Sequence, residues 1–362
     1  MSANENPQDG SATLQPQRRT TVVVVANQKG GTTKTTTTVH LAAGLARRGW
    51  SVAVMDCDGQ CNATRYLATP ENARVMLSEA PYCNMMDLCA VKDVSWEDTI
   101  GPSTIPNLEI IGATKWMQAS DERLMTLINN PINWPKFPVG PVDAHDPDNP
   151  SQTRKVIPAE RMLQSRLSEI PHGRWDFMVI DTPPSMNLAT RNALLISDWV
   201  IIPLDLAPMS LDGTAFMLES LDELGARNNK KIRLLGAVVT LVEKHILSVK
   251  MMQDLKNRFG DKLFESRVRK ATSIKEASGF QLSAYDYAPK QMATYDYDQV
   301  VEEFIRRLRA EGVDIPEPRF SPLPPMINPQ LIPKRTLKRK TRSRSKLKSV
   351  PDPGLKASAI LS

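Results

Sequence analysis

Two glycines, two lysines and a run of threonines fall within ten residues, Asn27-Gln28-Lys29-Gly30-Gly31-Thr32-Thr33-Lys34-Thr35-Thr36. Residues of these types at this spacing suit a phosphate group. Glycines let backbone amides approach an anion closely, a lysine adds a point charge, and a threonine hydroxyl can serve a divalent cation. Two acidic groups stand apart in the chain and suit the same chemistry. Asp58, in Asp56-Cys57-Asp58-Gly59-Gln60, is a carboxylate able to orient water, and Asp181, in Asp181-Thr182-Pro183-Pro184-Ser185, is a lone carboxylate of the kind Mg²⁺ takes alongside phosphate oxygens.

Such groups act together only if the chain brings them to one place, and the flanking patterns say how. The loop follows the apolar run Thr21 to Ala26 and precedes an Ala/Leu-rich helical pattern, Lys34 to Arg48, stopped by Gly49. Val52 to Met55 runs into the first acidic group, and Trp175 to Ile180 into the second. Later apolar runs end at Asp205 and Thr240. Apolar runs alternating with helical patterns predict a doubly wound, mostly parallel sheet with helices on both faces. In such sheets ligands bind beyond the carboxyl ends of the strands.

The loop departs from G-x-x-x-x-G-K-[ST], whose outer glycines would fall at Gln28 and Thr33. What remains, K-G-G-x-x-K-T, resembles the deviant Walker A loop of the ParA/MinD family of ATPases. Asp56 to Gln60 is similar to the family's D-x-D-P-Q segment with Gly59 in place of proline, and D-T-P-P-S matches its Walker B region. The resemblance covers about Thr21 to Leu308. It implies that residues 29–36 (Lys29, Gly30, Gly31, Thr32, Thr33, Lys34, Thr35 and Thr36) bind ATP, that Thr35 and Asp181 order Mg²⁺, and that Asp58 positions the attacking water. Lys29 would cross an ATP-dependent homodimer to the partner's nucleotide. It further implies binding to non-specific DNA, stimulation by a ParB-like protein, and a cytoplasmic, nucleoid-associated partition ATPase; with only residues 1–20 before the first strand, no N-terminal helix-turn-helix domain is expected. A positioning ATPase for a protein or conjugation cargo, or a DNA-binding repressor with little hydrolysis, remains open on the same residues.

Val268 to Ala277 is similar to a late family stretch with basic residues that touch DNA, which makes Lys270 and Lys275 candidates for that contact. Arg269 replaces a proline that relatives place near adenine. Were a positive φ required at Thr33, its branched side chain would cost on the order of 1–3 kcal/mol, so a helix-compatible conformation is expected there.

The rest of the sequence sets limits. No run reaches the roughly 18 apolar residues of a membrane span, and residues 1–20 form a polar arm with no apolar leader. Cys57, Cys61, Cys83 and Cys89 form no C-x-x-C pair, and the D-T-P-P-S region has none of the cysteines that an iron–sulfur branch of the family needs. The ATPase domain is expected over 21–312, with a Pro/Asn-rich inserted loop at 129–158 and a helix from Ala159 to Ile170. Beyond it, 313–362 reads as a Pro-rich and then basic disordered tail. Residues 331–362 hold ten Lys/Arg against Asp352, so the tail carries +9 of a chain whose total is +6, leaving the remainder at −3. Such a tail is drawn to phosphate backbones and lacks the apolar face of a membrane helix.

Overall fold

The computed structural model describes residues 19–77, 83–90, 93–115, 117, 139–145, 153–156, 159–170, 173–207, 210–243, 246–324 and 326. The first half contains β1 (Thr21–Val25), α1 (Lys34–Arg47), β2 (Val52–Asp56), α2 (Asn62–Leu67), α3 (Pro70–Leu77), α4 (Met85–Ala90), β3 (Ile100–Pro102) and β4 (Leu108–Ile111). After these come β5 (Val139–His145), β6 (Thr153–Val156), α5 (Met162–Arg166), β7 (Phe177–Asp181), α6 (Leu188–Ile196), β8 (Trp199–Asp205) and α7 (Ser210–Arg227). The last part holds β9 (Leu234–Val242), α8 (Ile246–Phe259), β10 (Leu263–Arg269), α9 (Thr272–Gly279), α10 (Ala284–Tyr287) and α11 (Met292–Ala310).

Eight strands form one sheet in the order β10-β9-β8-β1-β7-β2-β4-β3, parallel except for β3. The chain leaves β1 toward β2, returns through β7 between them, and continues on the other side of β1 to β8. That reversal beside β1 opens a crevice at the carboxyl edge. Strands β1, β2 and β7 are buried along their whole length because helices cover both faces, and their alternate side chains feed two separate cores. Val22, Val24 and Met55 join α6, α7 and α8 on one face, while Val23, Val25 and Val54 join α1 and α11 on the other.

Three expectations change. The 129–158 insertion holds an antiparallel pair, β5 with β6, rather than loop alone, with His145 opposite Thr153; Trp134 and Phe137 lie outside the described residues, as do the arm to residue 18 and the basic tail. The single helix over 159–170 is instead a short α5 between two 3-10 turns, at Ala159–Arg161 and Leu167–Glu169. The Arg166 carbonyl accepts the Trp96 indole N–H at 2.9 Å, and the Arg166 guanidinium donates to the Leu88 and Val94 carbonyls, which fixes the end of α5 by tertiary bonds.

The third concerns the start of the tail, which lies on the domain. Arg319 holds the buried Asp176 carboxylate with Nε at 3.0 Å and Nη2 at 2.9 Å, and Asp176 also accepts the Ser51 amide. Trp50 donates its indole N–H to the Pro316 carbonyl at 2.7 Å, and the Arg319 and Phe320 amides donate to the Gly49 carbonyl. Gly49 has φ +88, and a Cβ there would sit 2.0 Å from the Phe320 carbonyl oxygen, so only glycine admits this crossing. A proline-rich strap therefore closes the amino edge of the sheet.

Candidate active site

The phosphate-type loop is wound by two left-handed residues, Gly31 at φ +75 and Thr33 at φ +59, ψ +24. The helix-compatible conformation expected of Thr33 is therefore wrong. Its hydroxyl donates to the Thr32 carbonyl at 2.6 Å and meets the Thr240 hydroxyl at 2.8 Å, local bonds that help hold a branched residue in this region. Thr33 caps α1 without a side-chain bond, and the first intrahelical bond runs from the Thr37 amide to the Thr33 carbonyl. The amides of Lys34, Thr35 and Thr36 thus belong to the first turn, which makes no intrahelical bonds and favours anions. Lys34 Nζ donates to the Lys29 carbonyl at 3.0 Å across the loop, and burial lowers its pKa against the raising pull of Asp181 and Asp58.

Parallel register places Asp56 beside Asp181, both fully buried. Burial, then the Asp56 charge, pushes the Asp181 pKa well up, and burial raises Asp56 to about 6. Asp181 accepts the Thr35 hydroxyl at 2.7 Å and the Thr38 hydroxyl at 3.3 Å. One hydroxyl and one buried carboxylate next to a phosphate loop are the donor set a largely hydrated Mg²⁺ takes, so these residues fit that ion. Among the described residues no cluster of three or more His, Cys, Asp or Glu competes for a metal. Asp56 accepts the Asp58 amide at 3.0 Å and both the amide and hydroxyl of Thr64, and Thr64 in turn accepts the Ala113 amide. Asp58, partly exposed, accepts the Gln60 amide at 2.9 Å.

Lys29 lies on the other flank of the loop. Its Nζ reaches Asp205, at the end of β8, at 2.9 and 3.0 Å within the same chain. Beneath the loop, His40 is buried and its pKa lowered to about 4 by that burial. The neutral ring stacks on Tyr297 at 4.4 Å, donates from Nδ1 to the Thr36 carbonyl at 2.7 Å, and accepts the Ala284 amide at Nε2. The loop helix is thereby tied to α10 and α11.

A cavity of about 850 Å³ joins the loop to the end of β10 and to α9, within the range of ligand pockets. The structure brings Gly30 to Thr36 and Asp58 to its lining, and places Lys270 and Lys275 on the opposite wall of the same cavity. Lys270 pairs with Glu243. Both lysines are exposed to solvent as well as lining the cavity that holds the loop. Asp205, Thr64 and Asp296, which accepts the guanidinium of the cavity residue Arg269 at 2.6 and 2.9 Å, were not singled out from sequence. Asp205 carried a usable signal, an acid ending an apolar strand; Thr64 and Asp296 carried none, since their roles are partnerships made by folding.

A parallel sheet with this loop and these carboxylates at its carboxyl edge defines the P-loop NTPase fold. The sequence profile of the family described as an AAA domain matches residues 20–234, more than half of the chain. The chain belongs to this family, as one of its ParA/MinD-type ATPases. It is 29% identical over 136 residues to the chromosome-partitioning ATPase Soj of Thermus thermophilus, which covers 37% of this chain and 55% of that protein. To the sporulation initiation inhibitor protein Soj of Bacillus subtilis it is 26% identical over 266 residues, 73% of this chain and 90% of that one. The chain spans little more than half the length of several such relatives. Among solved structures, cobyrinic acid a,c-diamide synthase from Mycobacterium smegmatis with a bound ATP analog and magnesium superposes with a TM-score of 0.61 at 21% identity, covering 83% of this chain and 99% of that one. That likeness concerns the fold. No helix among the described residues is long and apolar enough to cross a membrane.

Proposed function

We propose that this chain is a Mg²⁺-dependent ATPase of the partition type, a cytoplasmic, nucleoid-associated switch whose ATP-bound homodimer holds DNA without sequence preference and lets go on hydrolysis stimulated by a ParB-like partner. The observation that carries the reading is one cavity at the sheet's carboxyl edge lined by Gly30 to Thr36 and Asp58, with Asp181 behind it accepting the Thr35 hydroxyl and the Lys29 carbonyl accepting the Lys34 ammonium. The names of the Soj and ParA relatives support the partition role.

In this reading the amides of Gly30 to Thr36 and the Lys34 ammonium hold the phosphates. Thr35 and Asp181 hold Mg²⁺, which supplies positive charge to the transferring phosphoryl group. Asp58, fixed at its amide by Asp56, orients the attacking water. Lys29 leaves Asp205 to reach the nucleotide of a second copy. Lys270 and Lys275, beside the nucleotide, make DNA contact depend on its state.

The test is DNA binding by the full chain and by a 1–330 protein with ATP, ADP or no nucleotide, at about 0.15 M salt so that non-specific attraction is screened. ATP-only binding by the shorter protein is expected, and equal binding in all three states overturns the switch. Lys34→Ala should abolish ATP binding, whereas Asp58→Ala should bind ATP and accumulate as a dimer. Normal turnover by Asp58→Ala would remove that residue from its role.

A further inference from the structure

Three consecutive side chains pin the start of the loop to β8 and α7. Asn27 donates from Nδ2 to the Pro203 carbonyl at 2.8 Å, Gln28 donates from Nε2 to the Ser220 hydroxyl at 2.8 Å, and the Lys29 ammonium reaches both carboxylate oxygens of Asp205 at 2.9 and 3.0 Å. Strand β8 lies on one side of β1, whereas β7 and β2, which end in Asp181 and Asp56, lie on the other. The Lys29 ammonium is thus engaged across β1 from the acids of the metal-type site, while the loop lines the cavity from Gly30 onward.

This ion pair opposes the movement that a role in trans requires. Lys29 cannot serve the nucleotide of a second copy without leaving Asp205, and a two-fold symmetric dimer breaks one such pair in each protomer. The Lys29 and Asp205 side chains are 28% and 21% exposed, so the pair is partly solvated. A pair of this kind shifts an equilibrium by about threefold, and two of them together by about tenfold.

We propose that Asp205 is a positioning residue, a latch that stores Lys29 within its own chain and sets the protein concentration at which the nucleotide-bound dimer forms. The carboxylate acts through Lys29: it stabilises the separate protomer, and a terminal phosphate on the second copy, more strongly anionic than a carboxylate, draws the ammonium away. The inference rests on the ATP-dependent dimer proposed above.

The experiment is sedimentation equilibrium of the full chain with Mg²⁺ and the non-hydrolysable analog β,γ-imido-ATP, comparing the parent with Asp205→Asn and Asp205→Ala proteins at about 0.05 M and about 0.5 M salt. Analog affinity is measured in parallel at protein concentrations where each chain is monomeric. At the lower salt both variants should dimerise with a dissociation constant about tenfold below that of the parent, and bind the analog as the parent does when monomeric. At the higher salt the difference in dimerisation should shrink to about twofold, because a partly exposed pair is screened. A merely structural role for Asp205 would produce neither that split nor its salt dependence. Should Asp205→Ala prove too unstable to measure, Asp205→Asn alone decides. Variants that dimerise where the parent stays monomeric would also support the latch. A dimeric parent whose variants are no tighter, or a difference that salt leaves unchanged, refutes the latch alone, whereas parent and variants that bind the analog and all stay monomeric refute the dimer reading with it.

Discussion

The two edges of the sheet are built on opposite terms. At the amino edge a buried acid, Asp176, is matched by the Arg319 guanidinium and a backbone amide, and the Trp50 indole has its carbonyl. At the carboxyl edge two buried acids are neighbours in register, a branched residue is left-handed, and the hydroxyls of Thr37 and Tyr66 are buried without a hydrogen-bond partner in the protein. One edge is satisfied and serves stability. The other is left electrostatically and conformationally costly, which is where binding energy can be recovered when a cationic or phosphate group arrives.

Arg319→Ala should break this contrast most strongly. It leaves Asp176 buried without its cation, a loss of about 3 kcal/mol or more in chemical denaturation, with ATP affinity unaltered. A smaller effect sharpens the contrast at the other edge. The folded pKa of Asp56 is raised by burial to about 6, so its contribution to stability is fully present below the unfolded value near 4 and is lost as pH rises through about 6. Nucleotide-free protein should therefore lose on the order of 1–3 kcal/mol relative to Asp56→Asn between pH 4 and 8. Parallel pH profiles for the two proteins would refute that burial cost. The smallest effect is expected of Thr33→Gly. Relief of the left-handed threonine, less the lost contact with Thr240, should raise stability by about 1 kcal/mol. A melting temperature lowered by this change would show that the hydroxyl pair outweighs the strain.

Much of the carboxyl edge could be read from the sequence because parallel strands covered on both faces appear as unbroken apolar runs. Val22 to Val25, Val52 to Met55 and Phe177 to Ile180 each deliver their polar groups immediately after the run. The amino edge could not be read that way. Arg319 and Asp176 are 143 residues apart, and prolines at 316, 318 and 322 signal a linker as readily as a strap. Thr33 misled for a different reason. Propensity argues against a left-handed threonine, and only the folded neighbourhood, with Thr240 across the crevice, shows what accompanies it. Lys270 and Lys275 were legible as basic residues, but their place on the nucleotide cavity wall required the course of β10 and α9.

The strap also says where this protein can be cut. A boundary drawn after α11 discards the Pro316 carbonyl, Arg319 and Phe320, and so uncovers Trp50 and strands the Asp176 charge. A boundary after Leu323, whose amide still bonds the Arg47 carbonyl, keeps the amino edge closed. Fusion partners, affinity tags and protease sites therefore belong beyond Leu323, and a fragment ending at residue 312 would misreport the stability of the domain it was made to represent.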